Sequence, residues 1–161
     1  MKKTLVFMLT IMCLFIFAGC NAEKDKDITE VYTFYGENEY ISVINGTAVI
    51  DRDGEVFSGG ELRVLNEEAF ADAVYWRYEF YILNDREEKT LYVGSVSDEA
   101  GGASICIEGD LGKVSGDDTI TRYNDSYADD FINNLYFKFI VKNADGEENT
   151  YHLQMKVNKV Y

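Results

Sequence analysis

From Val74 to Ile82 the chain reads Val-Tyr-Trp-Arg-Tyr-Glu-Phe-Tyr-Ile, with an apolar or aromatic residue at every second position. Successive side chains of a strand point to opposite faces. Val74, Trp76, Tyr78, Phe80 and Ile82 are therefore expected on one face, with Arg77 and Glu79 on the other. The same period runs through Leu135, Phe137, Phe139 and Val141, which alternate with Tyr136, Lys138, Ile140 and Lys142. It recurs in Tyr151, Leu153, Met155 and Val157, which alternate with His152, Gln154, Lys156 and Asn158. These three segments are expected to supply much of one core. A helical period of 3.6 does not fit them.

Further strands are expected over 40–50, 55–65, 89–97, 103–108 and 118–123. Asp53-Gly54, Asn84-Asp85 and Asp145-Gly146 each separate two apolar alternations, as hairpin loops do. Gly46 interrupts a strand and predicts a bulge. Short helical turns are expected at 67–73 after Asn66, and at 127–133 after Ser126, where Asp129 and Asp130 suit the positive end of a helix. Many short strands at this spacing predict an all-β fold. We read it as an antiparallel β-sandwich, immunoglobulin-like or a related barrel, with one or two short helical turns, in a single domain over 31–161.

The first nineteen residues have a different character. Lys2 and Lys3 precede a nearly unbroken apolar stretch from Thr4 to Phe17. Fourteen residues fall short of the roughly 20 that cross a hydrocarbon core. A basic start, an apolar stretch and small residues, in that order, form a secretory signal. Residues 20–30, beginning Cys-Asn-Ala-Glu-Lys-Asp, are polar and aperiodic and read as a tether.

Phe17-Ala18-Gly19-Cys20 resembles the lipobox of bacterial lipoproteins, with Phe17 standing where Leu is usual. The resemblance implies that Cys20 is diacylated and that residues 1–19 are removed. It also implies that the chain meets the membrane through this lipid anchor on the extracytoplasmic face. Two acyl chains suffice for stable anchoring where one is marginal. Phe34-Tyr35-Gly36-Glu37-Asn38 is similar to an aromatic-x-Gly-Glu-Ser/Asn segment of small Gram-positive lipoproteins that carry an all-β domain. That family is uncharacterised, so the resemblance implies no catalytic residue.

Charge and cysteine content narrow the function classes. The formal net charge is −14, from 15 Lys and Arg against 29 Asp and Glu. Nucleic acid is excluded as a partner, because phosphate binding needs clustered basic residues. A protein or a neutral glycan is the expected partner. Of three cysteines, Cys13 leaves with the signal and Cys20 is acylated. Cys106 remains as the thiol, so neither an internal disulfide nor a zinc site on paired cysteines is expected. With no basic neighbour in the local sequence to lower its pKa, Cys106 reads as structural, under a loop.

Candidate chemistry is sparse, and no cofactor motif is visible. The one histidine, His152, has no serine or cysteine motif beside it and falls on the solvent phase of its strand. Asp51, Asp53 and Glu55 have the opening spacing of a calcium loop, but the position that needs a closing Glu holds Leu62. An acidic hairpin turn is the plainer reading, and a calcium-stabilised carbohydrate-binding domain is the alternative it leaves open. No glycosidase-type acid pair can be chosen among 29 acidic residues. Tyr75, Arg77 and Tyr81, with Glu79, share the outer phase of the Trp76 strand. Aromatic residues interleaved with polar ones can form a ligand-contact surface or pack beneath other structure. The expectation is an envelope binding module, not an enzyme.

Overall fold

The computed structural model describes residues 29–51, 54–85, 87–97, 106–116, 120 and 127–161. The signal segment, Cys20, most of the tether, Asp53 and Ser126 lie outside the described residues, as do the first half of the strand expected at 103–108 and all but Ile120 of the one expected at 118–123.

Two antiparallel sheets pack together as a β-sandwich. The strands are β1 (Glu30–Glu37), β2 (Ile41–Asp51), β3 (Gly54–Ser58), β4 (Glu61–Val64), β5 (Ala73–Asn84) and β6 (Glu87–Ser97). They continue with β7 (Gly109–Asp110), β8 (Lys113–Gly116), β9 (Leu135–Asn143), β10 (Glu148–Gln154) and β11 (Lys156–Lys159). The larger sheet has seven strands and follows β11-β1-β2-β3-β8, with β4 also on β2 and β7 on β4. The smaller sheet runs β10-β9-β5-β6. Among the described residues the sheets are joined by one short 3-10 helix, Glu67–Phe70, and one α-helix, α1 (Tyr127–Asn134). Asn66 precedes the 3-10 helix but makes no side-chain cap.

Two devices bend these sheets around one core. The first is a line of special backbone positions across the larger sheet. Strand β2 pairs with β4 along Ile41–Ile44 and with β3 along Thr47–Asp51, on the same side. The chain passes from β3 to β4 through Gly59 and Gly60, where φ at Gly60 is +80°. Its absent Cβ would lie 2.1 Å from the Ile44 carbonyl oxygen, so only glycine fits there. This turn splits the single strand expected at 55–65. Next to it, the β1–β2 register slips between Phe34↔Gly46 and Gly36↔Val43. Ile44 and Asn45 thus share the place opposite Tyr35, and Asn45 takes a positive φ of 60°. The bulge expected at Gly46 is present. The second device is a change of sheet: β10 ends at Gln154 in the smaller sheet, and after Met155 the chain continues as β11 in the larger one. Strands that change sheets in this way form the corners of a sandwich.

The core is aromatic. Phe34, Phe57, Phe80 and Phe131 meet with ring centroids 5.1–6.5 Å apart, a range in which edge-to-face contact adds to burial. Phe131 brings α1 into this cluster. On β5, Trp76, Tyr78, Phe80 and Ile82 are buried, and Leu135, Phe137, Phe139 and Val141 face them from β9. Leu153 and Met155 are buried while Tyr151 and Val157 are half-buried at the margin. The Trp76 Nε1–H is buried and has no hydrogen-bond partner among the described residues. The Tyr78 hydroxyl donates to the Leu111 carbonyl, and burial is the main cause that raises its pKa above the usual phenol range.

Candidate functional site

Strand β5 carries the ligand-contact candidates on the outer face of the smaller sheet. Tyr75 is half-buried and Arg77 is exposed. Tyr75 lies opposite Lys142 on β9 and Ser97 on β6. It lines a groove of about 660 Å³ with Ser97, Lys142, Asp145 and Glu148. Arg77 stands one row further along, opposite Ile140 and Ser95. These two residues place an aromatic ring and a guanidinium on this face.

Tyr81 does not join them. It points outward, as its strand phase predicts, and pairs with Tyr136 in regular register on β9, yet it is only 3% exposed because other outward side chains cover it. Phe80, Tyr81 and Ile82 are thus all buried in succession. The Tyr81 ring stacks on Tyr136 at 5.6 Å. The Lys138 ammonium sits 4.7 Å from its centroid, within the range of a cation–π contact. The hydroxyl lies 3.2 Å from His152 Nδ1. Lys138 in turn pairs with Glu79 at 3.6 Å and with Glu88, while the Thr90 hydroxyl donates to Glu79. Burial, then the charge of Glu88, push the Tyr81 phenol up to about 12. At neutral pH it is a protonated hydroxyl locked in a network. His152 is on the solvent side, as its phase predicts, and its Nδ1 is engaged with Tyr81.

The two described carboxylates of the acidic hairpin, Asp51 and Glu55, do not converge. Asp51 is exposed at the end of β2, whereas Glu55 is 2% exposed and shares the inward face with Ile50, its partner across the hairpin. Adjacent residues of a strand point to opposite faces, so Asp51 and Glu55 diverge. Glu55 accepts a hydrogen bond from the Ile120 backbone N–H. Among the described residues no group of three His, Cys, Asp or Glu is placed to hold a metal ion.

Cys106 is exposed, and its thiol donates to the Glu108 carbonyl at 3.3 Å. This corrects the expectation of a cysteine covered by a loop. Residues 106–108 are also not a strand. Ile107 turns into the core while its neighbours face out, which is how a short extended segment imitates strand alternation.

Another groove lies on the larger sheet, and composition alone does not point to it. It is bordered by Thr33, Tyr35, Ile44, Asn45, Thr47 and Asn158. The segment Phe34–Asn38 was its one trace in the sequence. There Phe34 enters the core, Tyr35 faces solvent, and the Asn38 side chain accepts from the N–H groups of Tyr40 and Ile41 at 2.8 and 2.9 Å. Asn38 thus closes the β1–β2 turn.

Among the described residues no helix is long and apolar enough to cross a membrane. The chain matches no protein-family model, and neither a curated protein nor a solved structure matches it.

Proposed function

We propose that the protein is a lipid-anchored, extracytoplasmic binding module of the bacterial cell envelope. The observation that carries this reading is the order of Lys2-Lys3, an apolar stretch and Ala18-Gly19-Cys20, followed at once by a polar tether leading into β1. Diacylation of Cys20 gives the anchor, and residues 20–29 give the domain reach from the membrane. The net charge of −14 supports the lipid, not the protein body, as the membrane-holding element, because an acidic surface is repelled by anionic headgroups. Outward sheet faces that carry Tyr75 and Arg77 support recognition of a protein or glycan partner.

The test is acylation and fractionation in a Gram-positive host fed labelled fatty acid. Label should enter the wild-type chain and partition with it into detergent. Cys20→Ser should carry no label and should appear in the medium or as the unprocessed precursor. Label retained by Cys20→Ser would overturn the reading.

A further inference from the structure

Resting on the binding-module reading above, we propose that the outer face of the seven-stranded sheet is a binding site for a neutral glycan, with Tyr35 as the platform for a sugar ring. Tyr35 is 44% exposed and stands at the middle of β1, held between β2 and β11. Its cross-strand partner on β11 is Lys156, whose ammonium lies 5.5 Å from the ring centroid. That contact restrains the ring, which still lines the groove. One row along, Thr47, Thr33 and Asn158 are paired directly across β2, β1 and β11. With strands about 4.8 Å apart, this row sets two hydroxyls and an amide at regular intervals over roughly 10 Å.

The bulge completes the arrangement. Ile44 and Asn45 both oppose Tyr35, and the positive φ of Asn45 belongs to that irregularity. Bulges re-aim side chains, and asparagine is among the few residues that occupy this backbone region at small cost. The result is a second amide at the groove on the other side of Tyr35 from Lys156. The groove holds about 570 Å³, and none of the described residues lining it is acidic. In a chain of net charge −14, this is a local neutral zone.

A pyranose has one face of C–H groups and a rim of hydroxyls. The C–H face suits the negative face of an aromatic ring. The rim needs groups that both donate and accept, which amides and hydroxyls do. Tyr35 flanked by Asn45, Asn158, Thr33 and Thr47 supplies both sets. A phosphorylated or uronic polymer would find only Lys156 as a cation among these groups and would be repelled by the rest of the body.

The experiment is isothermal titration of the full chain in detergent with four neutral hexasaccharides: malto-, cello-, manno- and N-acetylglucosamine hexaose. At least one should bind. Tyr35→Ala should weaken that binding about thirtyfold, the threshold of a hot-spot residue, while Tyr35→Phe should retain most of it. Asn158→Ala, on an edge strand, should weaken it several-fold and provides the check if Tyr35→Ala does not fold. Val93→Ala, at an exposed position on the smaller sheet, should leave it unchanged. Binding that survives both Tyr35→Ala and Asn158→Ala, or is lost in Val93→Ala, would overturn this site while leaving the binding-module reading intact. No heat with any of the four sugars would overturn the ligand class. The anchor is tested separately by Cys20→Ser fractionation, so failure of one is distinguishable from failure of the other.

Discussion

Phe34 lies directly over Gly46 on the neighbouring strand, so close that a Cβ on Gly46 would sit 2.0 Å from Phe34 Cε2 and 2.3 Å from Cδ2. The ring cannot yield, because Phe57, Phe80 and Phe131 hold it from the other sides. Gly46→Ala should therefore cost about 3 kcal/mol or more, at the upper end of overpacking penalties. In the background of Phe34→Leu the same change should cost much less, because the two positions share one space. Urea unfolding of the two single variants and the double variant measures the coupling. Additive effects would show that the ring and the glycine do not compete.

Trp76 supplies a second prediction. It is 7% exposed and contacts Tyr78 and Phe139. Trp76→Ala should cost about 3–5 kcal/mol, the usual range for a large core aromatic. Trp76→Phe should cost well under that, since it keeps most of the ring burial and removes an indole N–H that has no partner among the described residues. Equal losses for the two variants would mean that the N–H is satisfied in solution.

Glu55 is a carboxylate in the core, joined to the Ile120 N–H. Removing its acceptor leaves that N–H buried and unpaired, at a cost of about 1–3 kcal/mol. Glu55→Ala should lower the thermal midpoint, and Glu55→Gln, which keeps a carbonyl acceptor, should lower it less. The ranking is read by calorimetry. Calcium should leave the difference unchanged, because Asp51 and Glu55 point to opposite faces of the hairpin.

The phenols give a prediction in pH. Tyr81 is pushed up to about 12 and Tyr78 further, both mainly by burial, from an ordinary value of 10.0. A folded-state pKa raised above the unfolded one gives stability that is complete below about pH 10. That stability is lost as pH rises toward the folded value. Absorbance at 295 nm should show a late tyrosinate phase near pH 12, which Tyr81→Phe diminishes. Stability measured by urea should fall between pH 10 and 12 in the wild type and fall less steeply in Tyr81→Phe.

Much of this fold was legible in the period of two. The Trp76, Phe137 and Leu153 segments became β5, β9 and β10 because sustained alternation leaves a chain only one way to bury its aromatic face. The hairpins at Asn84-Asp85 and Asp145-Gly146 followed from turn chemistry. The departures occur where a neighbouring strand, not the local pattern, decides the environment. Tyr81 keeps its outward phase but is covered by Tyr136, Lys138 and His152 from β9 and β10, and no single strand's pattern records what its neighbours lay over it. Glu55 reads as an acidic turn residue until the hairpin partner Ile50 fixes its direction. Met155 carries the chain from one sheet to the other without breaking its alternation. The groove at Tyr35 needs β11 beside β1, more than a hundred residues away in the chain, so only its centre was marked.

The pairing of β1 with the end of the chain has a mechanical consequence. The Val31 N–H donates to the Tyr161 carbonyl, and the Val160 N–H donates to Val31. Strand β1 is thus flanked by β2 on one side and by β11 on the other, along most of its length. A pull transmitted through the residues before Glu30 along that strand loads two ladders in shear at once. It does not peel hydrogen bonds apart one at a time. A domain tugged from its first strand would resist with all of these bonds together, and the same strand holds Tyr35, so the loaded element and the proposed sugar platform are one piece of backbone.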